Sequence, residues 1–227
     1  MKKTVSAVIV AAGKSTRMGQ NKILMKILGK SVLLHTVEAI LKTDIFSEVI
    51  VVASAENIPL FEAELCKMHG VRVIAGGETR GESAYRGICQ AGGEYVLIHD
   101  GARPMVTDEI IKTTVEKAVE TGAAAAGVVP KDTIKVISDD NSIKHTVDRK
   151  SAVAIQTPQV FEKQVYGKAL ETAKKNGFVA TDDSSLVSAD GVNVNLCDTP
   201  SYNIKITYTE DVFLAQAVLQ KRNEGNK

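Results

Sequence analysis

The stretch Val5-Ser6-Ala7-Val8-Ile9-Val10-Ala11-Ala12-Gly13-Lys14-Ser15-Thr16-Arg17-Met18-Gly19, with Lys22 three residues further on, decides the fold of this chain. Its apolar, β-branched first half predicts a buried parallel strand, and the strand ends in a loop of small residues. Small residues let backbone N–H groups approach phosphate oxygens closely, while Arg17 and Lys22 add positive charge. The stretch therefore predicts the triphosphate-binding loop of an α/β protein.

Two other phosphate-binding motifs do not fit this loop. A P-loop is excluded because Val8 stands where that motif requires its first glycine. A dinucleotide-binding fingerprint is excluded because Gly13 and Gly19 are too far apart for its closely spaced glycines. A secretory signal is an alternative interpretation of the same letters, but the apolar run is short and a Gly-Lys pair follows it directly.

The composition indicates a protein that acts on small molecules. The formal net charge is +1 over 227 residues and the basic residues are scattered, so we expect no nucleic-acid partner. No segment is long and apolar enough to span a membrane. The three cysteines lie far apart without metal or redox spacing, which predicts reduced, mostly buried thiols. We therefore expect one domain over residues 1–227, in a cytoplasmic enzyme.

Strand-like and helix-like segments alternate along the chain. Besides the first strand, the predicted strands are 49–53, 71–75, 95–99, 123–129, 192–196 and 204–207. The predicted helices are 31–41, 58–69, 83–90, 108–121, 162–176 and 210–220. Such alternation predicts a Rossmann-like α/β fold, with a mostly parallel sheet flanked by helices. Ligands of such sheets bind at the carboxyl ends of the strands, so the loops after Val10, Ala75, His99 and Val129 are expected to form one crevice.

One segment interrupts this alternation. Residues 133–137 and 143–147 are strand-like, and the polar turn 138–142 separates them, which predicts a β-hairpin within about 131–156. A two-stranded ribbon is marginally stable alone and must pack against something. We favour a projecting arm that forms a homodimer, with a hairpin folded back on its own domain as the alternative.

A second motif, His99-Asp100-Gly101-Ala102-Arg103-Pro104, follows a predicted buried strand. Asp100 is placed to hold Mg²⁺ or another divalent cation on the phosphates, because magnesium prefers one or two carboxylates with phosphate oxygens and waters. A cap on the following turn is the alternative for Asp100. The guanidinium of Arg103 could hold a second anionic ligand through two hydrogen bonds, and the alternative is a solvated arginine on the surface. No role is assigned to His99, since no other histidine lies at metal-ligand spacing.

Eight motifs in order resemble the 2-C-methyl-D-erythritol 4-phosphate cytidylyltransferase family over about residues 4–215. They are Ala11-Ala12-Gly13-x-x-x-Arg17-Met18-Gly19 with Lys22, Gly76-Gly77-Glu78-x-Arg80-x-x-Ser83, His99-Asp100-Gly101-Ala102-Arg103-Pro104, Lys131-Asp132-Thr133, Val147-Asp148-Arg149, Gln156-Thr157-Pro158-Gln159, Thr181-Asp182-Asp183 and Asn203-Ile204-Lys205. The resemblance implies a fold of the nucleotide-diphospho-sugar transferase type with a projecting β-hairpin arm.

The resemblance also implies roles in binding CTP. Arg17 and Lys22 match the cations that stabilise the five-coordinate α-phosphate, which is where charge accumulates during transfer. The matching nucleotide contacts are Ala11, Ala12 and Gly13 on the phosphates and ribose, Gly77, Glu78 and Ser83 on the cytosine edge, and Gly101 against the nucleotide.

A further set of positions matches groups around the acceptor substrate. Those in the body of the chain are Asp100, Arg103, Thr157, Thr181 and the catalytic Lys205. Thr133 and Arg149 match positions on an arm that reaches over the partner's active site to hold the substrate phosphate. Structural alternatives are a plain turn at Thr157 and a helix N-cap at residues 181–184. Lys205 lies in an otherwise apolar run, where a lysine is unusual unless it points into a polar cleft.

The resemblance implies Mg²⁺-assisted cytidylyl transfer from CTP to 2-C-methyl-D-erythritol 4-phosphate, in the non-mevalonate isoprenoid pathway. A cytidylyltransferase for ribitol 5-phosphate or another polyol phosphate is an alternative, because the acceptor rests on family resemblance alone. A nucleotide-binding module without activity is a third possibility. Such a module would be expected to lose a cation or the metal carboxylate, yet Arg17, Lys22, Asp100 and Lys205 are all present.

Overall fold

The computed structural model describes residues 3–13 and 21–225, and within them the chain folds around a seven-stranded sheet with the order β11-β7-β10-β6-β1-β4-β5. Its strands are β1 (Val5–Ala11), β4 (Glu48–Ala53), β5 (Val71–Ala75), β6 (Tyr95–Asp100), β7 (Ala123–Val128), β10 (Ala154–Glu162) and β11 (Asn195–Asp198). All neighbours pair in parallel except β10, which is antiparallel to both β6 and β7. The predicted mostly parallel α/β fold is confirmed.

The first strand is central because its residues are apolar on both faces. All seven residues of β1 are buried, and β1 lies between β4 and β6. Alternate residues enter two different core clusters, with Ile9 in one and Val8 in the other, as expected for a strand covered by helices on both sides. From β1 the chain continues to β4 and β5 on one side and then returns to place β6 on the other side. Such a reversal of strand order is where open α/β sheets bind ligands.

Helices cover both faces of the sheet. They are α1 (Val32–Leu41), α2 (Ile58–Leu65), α3 (Arg80–Gln90), α4 (Asp108–Thr121), α5 (Lys163–Asn176), α6 (Asp183–Ala189) and α7 (Thr209–Gly225), with short 3₁₀ turns at Ala55–Asn57 and Arg149–Ser151. Side-chain oxygens of Ser31, Thr79, Thr107 and Asp182 accept hydrogen bonds from the first turns of α1, α3, α4 and α6. Helix α3 begins three residues before its predicted start because Thr79 caps it. No helix among the described residues is long and apolar enough to cross a membrane.

Strand β10 is the strand of the main sheet that the sequence did not predict. It lies inside the sheet although it contains a proline, and residues 156–161 are buried. Three of its buried residues are Gln156, Thr157 and Gln159. Their side chains hydrogen-bond to β6, to the residue that caps α6, to the segment after β11 and within β10 itself. An apolar pattern could not reveal the part of the strand at residues 156–159, where three of the four buried residues are polar.

Two predicted strands near the C terminus need correction. The strand expected at 192–196 begins and ends later, because it is residues 195–198 that pair with β7. The segment 204–207 is not a strand, since only Ile206 donates a backbone hydrogen bond across to Ala102. Ile206 packs into a small cluster with Ile27 and Met105, which explains the apolar letters without a β-ladder.

The predicted hairpin is present as β8 (Lys135–Ile137) and β9 (Ile143–Thr146), and every residue of both strands is exposed. Its large apolar side chains are exposed as well, among them Ile137 and Ile143. A second small ribbon joins β2 (Lys26–Ile27) to β3 (Lys30–Ser31). The three cysteines are free thiols as predicted, but the expectation that most are buried is wrong, since Cys66 and Cys89 are exposed and Cys197 is buried.

Candidate active site

A cavity of about 840 Å³ opens at the carboxyl ends of β1, β4, β5 and β6. Its lining comes from the ends of these strands and the loops after them, from helix α3 and from the segment between β11 and α7: Val10, Ala11, Ala12, Gly13, Lys22, Ile23, Ser54, Ala55, Gly76, Gly77, Glu78, Thr79, Arg80, Ser83, Arg86, Asp100, Ala102, Lys205 and Thr207. This volume is in the range of small-molecule sites. Of the four loops expected to converge, those after β1, β5 and β6 do so, whereas the loop after β7 leads into the arm. The loop after β4 takes part instead.

The loop between β5 and α3 is held in place by side chains of α3. Ser83 Oγ accepts a hydrogen bond from the Gly77 amide at 3.0 Å, and the Glu82 carboxylate accepts one from the Glu78 amide at 2.9 Å. Arg86 donates to the Gly76 carbonyl at 2.8 Å. A Cβ on Gly76 would lie 2.7 Å from Ser83 Oγ, so this close approach requires glycine. The loop is thereby preorganised beside the cavity.

Asp100 is the last residue of β6, and cationic side chains contact both of its carboxylate oxygens. Arg80 Nε donates to Oδ1 at 3.1 Å, and Lys205 Nζ lies 2.8 Å from Oδ2. Arg103 Nε is 3.7 Å from Oδ2. Burial alone would raise the pKa of Asp100, but these cations hold it well below its usual range. The carboxylate is therefore ionised at neutral pH.

The backbone at Asp100 is fixed by a buried network behind the cavity. The Asp100 amide donates to Thr157 Oγ1 at 3.0 Å, and the Thr157 hydroxyl is 3.1 Å from His99 Nδ1. His99 Nε2 lies 3.2 Å from the Arg103 carbonyl, which can only accept, so Nε2 carries the proton and Nδ1 accepts from Thr157. His99 thus joins β10 to the turn that follows Asp100.

The burial of His99 makes stability depend on pH. Burial lowers the pKa of His99 from 6.5 to about 4. Between these two pH values the imidazole is protonated in the unfolded chain and neutral in the folded chain. We expect the free energy of unfolding to fall as the pH drops from 6.5 towards 4, by roughly 3 kcal/mol. Denaturant titrations across this window measure the effect.

The control for this experiment is a second histidine. His145→Gln, at an exposed position of β9, should keep the wild-type pH dependence, whereas His99→Gln should flatten it. An unchanged slope in a folded His99→Gln protein would contradict this account of His99.

The structure brings most of the predicted nucleotide-site residues together. Those that line the cavity are Ala11, Ala12, Gly13, Lys22, Gly77, Glu78, Ser83, Asp100 and Lys205. Gly101 lies directly behind it, where a Cβ would be 3.2 Å from that of Ala11. Arg17 lies outside the described residues, so its predicted role stays a prediction.

The other predicted substrate residues lie in three different places. Arg103 and Thr157 are buried behind Asp100 rather than on the cavity wall. Thr181 is exposed just before α6, whose N-cap is Asp182 with a complete capping box. Thr133 and Arg149 meet in a separate depression of about 250 Å³ at the base of the arm. Within one chain, the arm residues do not line the larger cavity.

Several residues of the cavity wall were missed from the sequence. Arg80 belongs to one of the eight quoted motifs, but no role was assigned to it; its position in that motif was the available signal. Arg86 and Ser54 carried no such signal. Both reach the cavity only because α3 and β4 lie beside β1.

The carboxylates that line the cavity decide whether it could hold a metal ion. In the part of the chain that the structure describes, no three His, Cys, Asp or Glu side chains form a group that would hold a metal by themselves. The ionised Asp100 lines the cavity, and the side chain of Glu78 is a second carboxyl on its wall. Because Mg²⁺ needs only one or two carboxylates when substrate phosphates supply the rest, these residues fit a magnesium ion that binds together with a triphosphate.

The mostly parallel sheet and a cavity lined by small residues, Lys22, Arg80 and Lys205 define an α/β protein that binds a phosphorylated nucleotide. The family model described as 2-C-methyl-D-erythritol 4-phosphate cytidylyltransferase matches residues 5–221. The chain therefore belongs to the 2-C-methyl-D-erythritol 4-phosphate cytidylyltransferase family.

Individual relatives and solved structures agree with this family. The 2-C-methyl-D-erythritol 4-phosphate cytidylyltransferase of Caldanaerobacter subterraneus subsp. tengcongensis is 45% identical over 230 residues, which cover 96% of this chain and 99% of the relative. The protein of the same name from Bacillus licheniformis is 40% identical over 96% of this chain and 97% of its own length. The crystal structure of 4-diphosphocytidyl-2C-methyl-D-erythritol synthase from Anaerococcus prevotii superimposes with a TM-score of 0.86 at 31% identity, covering 96% of this chain and 99% of that one.

Proposed function

We propose that this protein transfers the cytidylyl group of CTP to 2-C-methyl-D-erythritol 4-phosphate and releases pyrophosphate, as a cytoplasmic enzyme of the non-mevalonate isoprenoid pathway. One observation carries the proposal: in a chain that the family matches over residues 5–221, Lys22, Asp100 and Lys205 surround a single cavity. Two cations and an ionised carboxylate around small-residue loops suit the joining of two phosphorylated substrates.

The reaction needs charge neutralisation more than proton transfer. A phosphate oxygen of the acceptor forms a bond to the α-phosphorus of CTP, and the bond to the β-phosphate oxygen breaks, with pyrophosphate taking the electron pair. The attacking oxygen is already anionic, so no general base is required. Lys22, together with Arg17, neutralises charge at the α-phosphate, and Lys205 does so from the side of Asp100.

A bound magnesium ion would neutralise part of the charge on the substrate phosphates. Asp100 is the residue we assign to holding it, and its low pKa keeps the carboxylate available at neutral pH. The loop at residues 76–78 is assigned to the cytosine edge. Gly77, Glu78 and Ser83 are proposed as its contacts, because α3 fixes the backbone of this loop.

We further propose that the arm at about residues 131–156 forms a homodimer and places Thr133 and Arg149 over the partner's cavity. Two observations support this. The arm exposes Ile137 and Ile143, which a second subunit would cover, and Thr133 and Arg149 do not line the cavity of their own chain.

Complementation between subunits tests the arm. Arg149→Ala and Lys22→Ala are each expected to inactivate the homodimer. A heterodimer of the two, purified with different tags after co-expression, has one intact site and should recover about half the wild-type activity, because Lys22 and Arg149 of that site come from different chains. If Arg149 served its own chain, both sites would be defective and no activity would return.

The test of the function is pyrophosphate release with Mg²⁺. CTP, UTP, ATP and GTP are each paired with 2-C-methyl-D-erythritol 4-phosphate and with ribitol 5-phosphate. Release with CTP and the methylerythritol phosphate alone supports the proposal. Release with ribitol phosphate would retain the chemistry and refute the acceptor, while CTP binding without release in any pairing would indicate a module without activity.

A further inference from the structure

Arg80 bridges two carboxylates, one on the cavity wall and one buried behind it. Its Nε donates to Oδ1 of Asp100 at 3.1 Å, and its Nη1 donates to Oδ2 of Asp183 at 2.7 Å. Asp100 ends β6, whereas Asp183 opens α6, so the bridge joins elements far apart in sequence. The side chain of Arg80 is 31% exposed and lines the cavity.

Asp183 is a buried acid without a part in the mechanism above. Its side chain is 2% exposed and does not line the cavity. The Tyr166 hydroxyl donates to its Oδ1 at 3.0 Å, so each carboxylate oxygen has one partner. Burying a carboxylate is costly unless it is paired, and here Arg80 and Tyr166 supply the pairing.

The two carboxylates that contact Arg80 stabilise the positive charge of its guanidinium. Burial lowers the pKa of Arg80, but Asp183 and Asp100 together raise it above its ordinary value. Burial and the neighbouring Asp183 likewise raise the pKa of Tyr166, so its hydroxyl stays a donor. The planar guanidinium contacts one carboxylate through Nε and the other through Nη1, which fixes its orientation in a way that an ammonium group would not.

We propose that Asp183, supported by Tyr166, is a positioning residue that holds Arg80 against Asp100 while a nucleotide occupies the cavity. An entering triphosphate attracts every cation on the wall, and Arg80 would turn towards it if Asp100 were its sole anchor. The second anchor keeps the guanidinium on Asp100, so that the carboxylate retains its orientation. This inference deepens the proposed function and rests on it.

The proposal predicts that kcat and KM respond differently in Asp183→Asn. Freeing Arg80 should leave the KM for CTP unchanged or lower it, since the arginine can then contact the phosphates. Because Oδ1 of Asp100 loses its fixed partner while Lys205 still contacts Oδ2, kcat should fall by roughly 10-fold to 100-fold, the range of coupling between residues in contact. Tyr166→Phe removes one hydrogen bond to Asp183 and should lower kcat by a smaller factor, about twofold to fivefold.

Asp190→Asn is the matched control. Asp190 caps the other end of α6 and, like Asp183, has its partner on α5, with Lys168 Nζ 3.5 Å from Oδ2. The substitution makes the same chemical change on the same helix without reaching Arg80. We expect its kcat and KM to stay within about twofold of wild type. A fall in kcat equal to that of Asp183→Asn would assign the effect to α6 stability and overturn the proposal.

A double-mutant cycle with Arg80→Gln tests whether Asp183 acts through Arg80. Once Arg80 is gone, Asp183→Asn should change kcat by less than about twofold. Additive effects would overturn the proposal, as would a folded Asp183→Asn protein with unchanged kcat or with a raised KM alone. If Asp183→Asn does not fold, the cycle of Tyr166→Phe with Arg80→Gln gives the same test.

Binding of CTP by calorimetry separates this proposal from the proposed function. If the wild type released no pyrophosphate with any acceptor, the proposed function would fail, while the same cycles could be measured in CTP affinity. Non-additive changes between Asp183→Asn and Arg80→Gln would then still show that Asp183 positions Arg80. If the effects of the two substitutions were additive, whether measured in kcat or in CTP affinity, the positioning role of Asp183 would be refuted.

Discussion

Replacing Lys22 with alanine is expected to lower kcat for cytidylyl transfer by roughly 100-fold to 1000-fold, the effect of removing one group that stabilises transition-state charge. The KM for CTP should change by only a few fold, because the other cavity residues still bind the nucleotide. Lys22 lines the cavity directly after the first loop, and β1 fixes the start of that loop in the sheet. Steady-state pyrophosphate release measures both constants.

Lys26→Ala is the control for this prediction. Lys26 lies four residues further on, at the exposed first position of strand β2, and does not line the cavity. The variant removes the same charge from the same part of the chain, so its kcat should stay within about twofold of wild type. Intact turnover in Lys22→Ala would remove Lys22 from the catalytic role that we assign to it.

Asp100→Asn is expected to lower kcat by roughly 100-fold or more, because the proposed protein ligand of the metal is lost while Arg80 and Lys205 remain. The same change makes the cavity more positive by one charge. CTP binding measured without a divalent cation should therefore be as tight as in the wild type, or tighter. Calorimetry without metal and turnover at increasing Mg²⁺ concentrations test the two halves of this prediction.

Asp108→Asn provides the matching control. Asp108 is an exposed acid on the first turn of α4, paired with Lys112 at 2.9 Å. Its replacement should leave turnover and CTP binding within about twofold of wild type. Weaker CTP binding in Asp100→Asn without metal would contradict the charge argument, and an unchanged response to Mg²⁺ would contradict its role towards the metal.

The fold class followed from the sequence because buried parallel strands have a distinctive composition. Strands β1, β4 and β6 are nearly continuous apolar runs, and no other element of an α/β protein requires that pattern over so few residues. The order of the small-residue loop and the later motifs then placed Lys22 and Asp100 at the same edge of the sheet. Both do line one cavity.

Strand β10 escaped prediction for a physical reason. Three of its buried positions are filled by Gln156, Thr157 and Gln159, whose side chains hydrogen-bond to residues distant in sequence. A burial pattern read from apolar residues cannot identify such a strand, because the hydrogen bonds that make its burial possible exist only after folding.

The sequence by itself determined the α/β architecture, the first loop and the cations that follow it, since these depend on local composition and on residues close together in the chain. Tertiary structure alone decided that Arg80 bridges Asp100 and Asp183, that Tyr166 holds Asp183, and that His99 joins Thr157 to the turn after Asp100. Each of these contacts is a hydrogen bond between residues that packing brings together. The spacing of the residues in the sequence therefore cannot predict it.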